Sequence, residues 1–378
     1  MNILVVCHYG LYQEFSSSFV HAQARAYVEL GHNVQVLIPT ALGKNRENHR
    51  FFPLVQYQLV DGVHLHYIRF FSLSNYGKKR FNTISAQCSF KIYFHTLLKD
   101  FVPDVVHAHT LGFDSDLGAW LKKRLNCPLV VTTHGSDTSL PYMQGERDFL
   151  RECCDQADVV VGVSSKLVRQ LEDCGTDTNL HSILNGFALQ HLLSEEKKPN
   201  TWIQVGHLIP QKCQKITLHA FSNHLEYNSL ARLTIVGEGV DRSSLETLCS
   251  EWGISHAVRF TGPLTNRDVL AEMAVSQFFV MPSHPEGFGI VYLEAMANGC
   301  ITIGTEGEGI ADLIVHGKNG FLVPPDNTEA IVSVIDWCIA HPEEAAAVAE
   351  CGRRDALALT WEKNAKEYIT LFQELINT

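Results

Sequence analysis

Short apolar runs alternate with amphipathic stretches along the whole chain, and this alternation constrains the fold more than any other feature of the sequence. The runs in the first half predict strands over residues 3–7, 34–38, 105–108, 129–132 and 159–163. The runs in the second half predict strands over residues 202–205, 233–236, 258–261, 278–281 and 300–303. Short buried strands separated by helices are typical of parallel sheets with helices on their faces. The sequence therefore predicts an α/β protein with two such halves.

Two domains are also expected from length, because 378 residues exceed the roughly 250–300 at which a single core stops growing. We predict a first domain over residues 1–190, a polar linker over 191–200 and a second domain over 201–360. The last helix, over 361–378, carries an apolar stripe at helical spacing and is expected to pack back on the first domain. Two Rossmann-like domains that face a cleft are the expected architecture.

Charge and cysteine content limit the function classes. Residues 1–190 hold 17 basic and 17 acidic side chains, so the whole net charge of −11 lies in the second half. Nucleic-acid binding is disfavoured because it needs a basic footprint. A strand that begins at once, with no signal peptide and no apolar run of about 18 residues, predicts a soluble protein. Eleven scattered cysteines without a Cys-x-x-Cys pair favour the reducing cytoplasm.

The densest chemical signal lies in residues 284–299, which follow a predicted strand. Gly287 and Gly289 let the backbone approach a ligand closely. Glu286 precedes the next helix and Glu294 lies inside it, about 12 Å away at ~1.5 Å per residue. Carboxylates accept hydrogen bonds from sugar hydroxyls, and a helix N-terminus favours an anion. The segment therefore suits a ligand with a hexose, a diphosphate and a ribose.

A phosphate ligand also needs cations, and the turn after the first strand of the second half supplies them. Lys212 can act there as a point charge on phosphate, and His207 can contribute when it is protonated. The helix that offers its N–H groups to the same anion is predicted to begin near Phe288. The alternative for Lys212 is an ordinary surface lysine.

These segments resemble the donor site of family-4 retaining glycosyltransferases, which have the GT-B fold. Other parts of the chain match the family in the same order: residues 31–34, 103–109, 133–137, 185–186, 236–239, 305–312 and 316–323. The resemblance implies transfer of a sugar from a nucleotide-diphosphate sugar to a hydroxyl acceptor, with retention and without a metal or other cofactor. It implies that residues 1–190 bind the acceptor and that residues 201–360 bind the nucleotide-sugar donor. It also implies a setting in surface polysaccharide or glycoconjugate synthesis, with a glycan or lipid-linked glycan as acceptor.

The resemblance further implies individual roles. Glu286 contacts the transferred sugar, Glu294 contacts the ribose, and His134 faces the reacting carbon. The expected donor-binding set is Gly10, His207, Lys212, Glu286, Gly287, Phe288, Gly289, Ile290 and Glu294. The expected catalytic set is His134, Asp137, Lys212 and Glu286. For Asp137, capping of the next turn is an equal alternative.

Two positions and one loop depart from the family pattern. His207 replaces the usual arginine, so donor binding is expected to depend more on pH than in relatives. Cys213 replaces the glycine that usually follows the lysine. The first loop lacks the usual glycine pair, and only Gly10 can serve there. Two rival functions stay open: a nucleotide-sugar hydrolase or epimerase of the same fold, and a catalytically silent homologue that binds a partner.

Two further features have a structural and a functional interpretation. Asp114 and Asp116 form an Asp-x-Asp pattern that some enzymes use for metals, but its place at a helix start favours capping. His64 and His66, like His107 and His109, form same-face pairs without an evident third ligand, so no metal site is predicted.

Residues 75–101 combine basic and aromatic side chains in an otherwise acidic protein. Such a surface can rest on anionic lipid, which would place the enzyme at the inner face of the membrane and close to a lipid-linked acceptor. The alternatives are a helix that faces the core with a solvated basic side, and an acceptor groove for an anionic glycan.

Overall fold

The computed structural model describes residues 1–8, 19–42, 55–72, 79–97, 99–188 and 195–377. The chain divides into two compact units. Unit 1 comprises Met1–Gly186 and Trp361–Thr378, and unit 2 comprises Phe187–Thr360. In the described part of the chain, no helix has both the length and the apolarity needed to cross a membrane.

Unit 1 contains a sheet of eight strands in the order β3-β4-β2-β1-β5-β6-β7-β8. Its strands are β1 (Asn2–Val6), β2 (Asn33–Leu42), β3 (Val55–Val60), β4 (Val63–Phe71), β5 (Val105–His109), β6 (Leu129–Thr133), β7 (Val159–Gly162) and β8 (Asn179–Ser182). All neighbours pair in parallel except the β3–β4 hairpin at one edge. The five strands predicted for this half are present, whereas β3, β4 and β8 were not among the predicted strands.

Helices cover both faces of this sheet. They are α1 (Phe19–Glu29), α2 (Lys79–Leu97), α3 (Phe113–Leu125), α4 (Ser139–Met143), α5 (Arg147–Cys154), α6 (Ser165–Glu172) and the final helix, Trp361–Ile376. The final helix packs against α1, where the Gln23 side-chain amide donates to the Asn364 Oδ1 over 2.7 Å. The prediction that this helix returns to the first domain is therefore confirmed.

Unit 2 contains six parallel strands in the order β11-β10-β9-β12-β13-β14. They are β9 (Lys198–Val205), β10 (Arg232–Val236), β11 (Val258–Gly262), β12 (Ser276–Val280), β13 (Ile301–Thr305) and β14 (Phe321–Val323). Its helices are α7 (Gln214–Leu225), α8 (Arg242–Glu251), α9 (Asn266–Val275), α10 (Ile290–Ala297), α11 (Thr328–Ala340) and α12 (Pro342–Leu357), so the final helix is α13. In each unit the strand order reverses at one point, which is where open α/β sheets bind ligands.

The boundary between the predicted domains needs one correction. Residues 198–200, the end of the predicted linker, form the start of β9, where Lys198 pairs with Ser276. Proline is tolerated near the start of a strand, which explains why Pro199 does not prevent pairing. Unit 2 begins at Phe187, within the predicted first domain, and residues 191–194 of the predicted linker lie outside the described residues.

Candidate active site

The reversal of strand order in unit 2 lies between β9 and β12, which pair directly. The turn after β9 contains Lys212, and the loop after β12 contains Glu286. Because the carboxyl ends of neighbouring parallel strands lie side by side, the two segments meet. The Lys212 Nζ contacts the Glu286 Oε2, and both side chains are largely buried.

Two hydrogen bonds to backbone carbonyl oxygens fix the turn that contains Lys212. The Lys212 carbonyl oxygen accepts a 2.6 Å hydrogen bond from the buried Gln204 side chain. The neighbouring Gln211 carbonyl oxygen accepts a 2.9 Å hydrogen bond from the His284 N–H, which belongs to the β12 loop. These bonds fix the lysine turn against the loop that carries Glu286.

The carboxylate of Glu286 has a second partner, the Ser283 hydroxyl, which donates over 3.2 Å. Its backbone N–H donates to the carboxylate of Glu308, which is 3% exposed. The other oxygen of Glu308 lies 2.7 Å from the His284 Nδ1. Glu308 therefore fixes the backbone of the β12 loop from the loop that follows β13, a role that the sequence did not reveal.

Two glycines allow these loops to approach each other. Gly289 precedes α10 with φ 78°, in the left-handed region that favours glycine. A Cβ at Gly309 would lie 1.8 Å from the Gly287 carbonyl oxygen, so only glycine fits there. The helix begins at Ile290, two residues later than predicted.

Glu294 lies within α10 and is half-buried. Burial raises the pKa of its carboxyl, while a 3.3 Å hydrogen bond from the Asn266 side-chain amide acts in the opposite direction. A carboxylate that has lost part of its hydration gains most from a ligand hydroxyl. This property suits the role that the resemblance implies for Glu294.

The two positions that depart from the family lie in the same turn. The His207 side chain is exposed, and its carbonyl oxygen accepts a 2.9 Å hydrogen bond from Gln214. Cys213 adopts φ 52° and ψ 36°, the left-handed conformation that glycine takes without cost. The glycine expected from the resemblance would therefore fit this backbone better than the cysteine.

His134 and Asp137 lie in unit 1, in the loop after β6. Asp137 accepts three backbone hydrogen bonds: from His134 and Gly135 at 3.0 Å each and from Leu111 at 2.8 Å. Its carboxylate thus organises the loop that carries His134 and ties it to the loop after β5. This arrangement agrees with the capping alternative for Asp137. Gly10 lies outside the described residues.

Three histidines lie next to one another here: His107 and His109 in β5, and His134 directly after β6. The His109 Nδ1 lies 3.0 Å from the His134 Nε2, with the two rings nearly parallel, and His107 lies next to His109. Burial lowers the pKa of His134 to about 4 and that of His107 to about 3, and it lowers the pKa of His109 in the same direction. His134 is therefore neutral near pH 7.

The Asp-x-Asp pattern has structural partners. Ser115, between the two aspartates, bonds both to the Gly112 N–H and to the Gly112 carbonyl oxygen at the start of α3. Asp114 is fully buried and pairs with the His8 Nδ1 at 2.7 Å. The described residues contain no group of three or more His, Cys, Asp or Glu side chains placed to hold a metal ion.

The aromatic residues of the basic stretch divide between two environments. Phe90 and Phe101 are buried, and Phe94 packs against Trp120 of α3 at 6.3 Å between ring centroids. The opposite side of α2 exposes Phe81 and, further along, isoleucines and Lys91. Residues 76 and 78 of this stretch lie outside the described residues. The described part of the helix thus faces the core on one side and leaves apolar side chains and Lys91 exposed on the other.

Two family models together match most of the chain. The family described as Glycosyltransferase Family 4 matches residues 16–191, and the family described as Glycosyl transferases group 1 matches residues 191–355. The chain belongs to the family-4 type of glycosyltransferases. An uncharacterized glycosyltransferase of Methanocaldococcus jannaschii is 28% identical over 278 residues, which cover 72% of this chain and 76% of that protein.

Solved structures confirm the fold of this glycosyltransferase. Sucrose-phosphate synthase from Thermosynechococcus elongatus superposes with a TM-score of 0.79 at 18% identity, covering 100% of this chain and 99% of the other. Anabaena HepE in complex with UDP-glucose gives a TM-score of 0.74 at 18% identity, covering 99% of this chain and 100% of the other. The GT-B class predicted from the sequence is therefore confirmed.

Proposed function

We propose that this glycosyltransferase moves a hexosyl group from a nucleoside-diphosphate sugar to an acceptor hydroxyl, with retention of the anomeric configuration. The observation that carries the proposal is the contact between Lys212 and Glu286 directly before the N-terminus of α10. A cation beside a helix N-terminus suits a diphosphate, and a carboxylate suits sugar hydroxyls. The complex of the similar HepE protein with UDP-glucose supports the donor class.

Each side chain of the site has a distinct part in this proposal. Glu286 accepts hydrogen bonds from the transferred sugar, and Glu294 accepts one from the ribose. The backbone N–H groups from Gly287 to Ile290 bind the diphosphate, together with Lys212. Glu286 lies in the loop before α10 and Glu294 lies inside that helix, so the helix N-terminus that would bind the diphosphate stands between the two glutamates in the chain.

The proposed chemistry needs no nucleophile from the protein. The bond between the anomeric carbon and the diphosphate oxygen breaks, and the acceptor oxygen attaches to the same face of the sugar. The acceptor proton passes to the leaving phosphate oxygen. Lys212 and the N–H groups before α10 stabilise the charge that develops on the diphosphate, so we include neither a metal nor an organic cofactor in the proposal.

Thermal unfolding with UDP, GDP and ADP tests the donor site. A nucleotide at a hundredfold its dissociation constant should stabilise the chain by ~2.7 kcal/mol. We expect one nucleotide to raise the melting temperature of the wild type, and Glu294→Gln to reduce this shift. Glu251→Gln is the matched control, because Glu251 is exposed at the end of α8. If none of the three nucleotides raises the melting temperature, the result contradicts the proposal and favours a catalytically silent homologue that binds a partner.

Transfer itself is tested with the nucleotide identified in this way. The matching nucleotide sugar should release nucleotide faster when a glycan acceptor is added. Release of free sugar at the same rate with and without acceptor would instead favour a hydrolase of the same fold.

We further propose synthesis of a surface polysaccharide or glycoconjugate, with peripheral contact between α2 and the inner face of an anionic membrane. The support is the outer side of α2, where Phe81, Ile84 and Ile92 are 45%, 50% and 70% exposed. Co-sedimentation with anionic vesicles at low salt should weaken in Ile92→Ser. Leu230→Ser, at an equally exposed leucine of unit 2, should leave it unchanged. Equal sedimentation of all three proteins would contradict contact through α2.

A further inference from the structure

A cavity of about 300 Å³ lies at the amino ends of the parallel strands of unit 2. Its wall includes the first residues of β9, β10, β11 and β12, which are Lys198, Arg232, Val258 and Ser276. Parallel strands begin at one edge of a sheet and end at the other, whereas the proposed donor site lies where β9 and β12 end. The strand β10, from Arg232 to Val236, spans about 13 Å at ~3.3 Å per residue. The cavity is therefore separated from the proposed donor site by the length of the strands.

The cavity lies on the face of the sheet that α9 covers. Thr234 of β10 pairs with Arg259 of β11, and the Arg259 Nη2 donates to the Thr234 Oγ1 over 3.2 Å. The same nitrogen lies 2.5 Å from the Glu272 Oε2, which belongs to α9. Arg232 precedes Thr234 by two residues, so its side chain leaves the strand on the same face. The strand starts and α9 thus form opposite parts of one wall.

The wall of this cavity concentrates positive charge. Lys198, Arg232 and Arg259 all line it, and His256 lies beside them. Glu272 neutralises the charge of Arg259, while Lys198 and Arg232 add two further positive charges. The second half of the chain carries the whole net charge of −11, so this concentration runs against the charge of its surroundings. A cavity of this kind attracts an anion.

The guanidinium of Arg232 is fixed at the start of β10. Its Nη1 donates to the Ala231 carbonyl oxygen over 2.7 Å and to the Ser229 carbonyl oxygen over 3.1 Å. These two bonds engage one nitrogen of the planar group, which carries further N–H groups on Nε and Nη2. An arginine fork held in this way suits the oxygen atoms of a phosphate group, and it loses little conformational freedom when it binds one.

Another part of the wall is apolar. Leu233 and Ala257 line the cavity and are buried, and Val258 and Val275 lie next to them. Ligand cavities usually measure about 300–1,000 Å³ and combine an apolar wall with a few polar groups that fix the ligand. This cavity lies at the small end of that range, so it suits a small molecule with an anionic group on an apolar body.

We propose that this cavity binds a phosphate monoester of a small organic molecule. A phosphate monoester carries close to two negative charges near pH 7, which match the two positive charges that Lys198 and Arg232 add to the wall. A carboxylate would bring one negative charge. The organic part of the ester packs on Leu233 and Ala257. The ester thus binds to the same sheet as the proposed donor but at its opposite edge, so the two ligands do not compete.

Isothermal titration calorimetry on the full chain tests the proposal with four probes. Phenyl phosphate, benzoate and benzyl alcohol share a phenyl ring and differ in charge, whereas inorganic phosphate lacks the ring. We expect phenyl phosphate to bind at least ~tenfold more tightly than benzoate, because its second negative charge meets a second cation. Inorganic phosphate should bind more weakly than phenyl phosphate, since it leaves the apolar wall uncovered. Benzyl alcohol should give no measurable heat.

Charge variants locate the binding. Arg232→Gln should weaken binding of phenyl phosphate by at least ~tenfold, and Lys198→Gln should weaken it as well while it leaves the arginine in place. Glu272→Gln should act in the opposite direction and tighten binding by ~threefold or more, because it removes the negative charge that neutralises Arg259. Arg354→Gln on α12 is the matched control, since Arg354 is exposed and does not line the cavity. Melting temperatures of all variants verify that they fold.

A phosphate probe can also bind at the proposed donor site, and Lys212→Gln separates the two places. Phenyl phosphate should bind this variant as tightly as the wild type. Loss of binding in Lys212→Gln would assign the probe to the donor site and overturn the proposal. Absence of phenyl phosphate binding, equal binding of benzoate, or equal effects of Arg232→Gln and Arg354→Gln would overturn it as well. The nucleotide thermal shift tests the proposed function separately, because a shift without phenyl phosphate binding contradicts the cavity assignment alone.

Discussion

Cys213→Gly should stabilise unit 2. Cys213 lies between the short helical turn of Lys212 and the start of α7, with φ 52° and ψ 36°. In this conformation the Cβ of an L-residue lies too close to the following carbonyl oxygen. Glycine has no Cβ and adopts the same angles without this cost.

The magnitude follows from two opposing effects. A left-handed conformation costs a residue with a Cβ about 1–2 kcal/mol. Removing this cost is partly offset by a loss of about 0.5–1 kcal/mol, because glycine has more conformational freedom in the unfolded chain and loses it on folding. The Cys213 thiol lies 3.5 Å from the Pro210 carbonyl oxygen, so little interaction energy is lost with it. We expect a net gain of about 0.5–1 kcal/mol, or ~1–4 °C in melting temperature for a unit of this size.

Differential scanning calorimetry measures the shift, and Cys213→Ala is the matched control. Alanine removes the thiol but keeps the Cβ, so it should leave the melting temperature unchanged or slightly lower. Equal stabilisation by alanine and glycine would refute the reasoning, because the thiol rather than the backbone would then be the cause. A lower melting temperature for Cys213→Gly would refute it as well.

Three further predictions concern single side chains. Glu308→Gln should lower the unfolding free energy by about 1.5–3 kcal/mol and reduce transfer activity. An amide cannot accept both hydrogen bonds that the Glu308 carboxylate accepts, one from the Glu286 N–H and one from the His284 ring. Unchanged denaturant unfolding curves would contradict this prediction. His207→Arg should raise activity more at pH 8.5 than at pH 6, because arginine keeps its charge; parallel pH profiles would remove His207 from the phosphate site. Burial lowers the pKa of His107 to about 3 and that of His134 to about 4 in the folded chain, whereas a histidine in the unfolded chain has a pKa of ~6.5. Below about pH 6.5 the unfolded chain therefore binds more protons than the folded chain. Unfolding free energy should therefore fall as the pH drops from about 6.5 to about 4, and His107→Asn should reduce this dependence.

The strands that carry the active site could be predicted because they are buried on both faces and appear as continuous apolar runs. β4 alternates instead, and its hairpin with β3 turns at Asp61 and Gly62, both with positive φ. Asp-Gly between two alternating runs is a strong indication of a hairpin, so β3 and β4 could also have been predicted from the sequence.

The residues that hold the site in place were harder to predict. Glu308 acts on Glu286 across 22 positions, and His8 pairs with Asp114 across 106. Both contacts exist because parallel strands bring their following loops to one edge of the sheet. A motif read along the chain shows the residues that bind a ligand, whereas the residues that support them depend on strand order.

The charges of His134 and Lys212 indicate different parts for the two side chains in the proposed reaction. Within the described residues the His109 Nε2 is buried without a hydrogen-bond partner, so the proton of His109 is best placed on its Nδ1, which then donates to the His134 Nε2. His134 consequently carries its own proton on Nδ1. With a pKa of about 4, the His134 ring can donate a hydrogen bond near pH 7 but supplies no positive charge. We therefore assign the positive charge for the departing diphosphate to Lys212, which lies beside the start of α10. In the proposed reaction, His134 contributes to orientation and Lys212 to the stabilisation of charge.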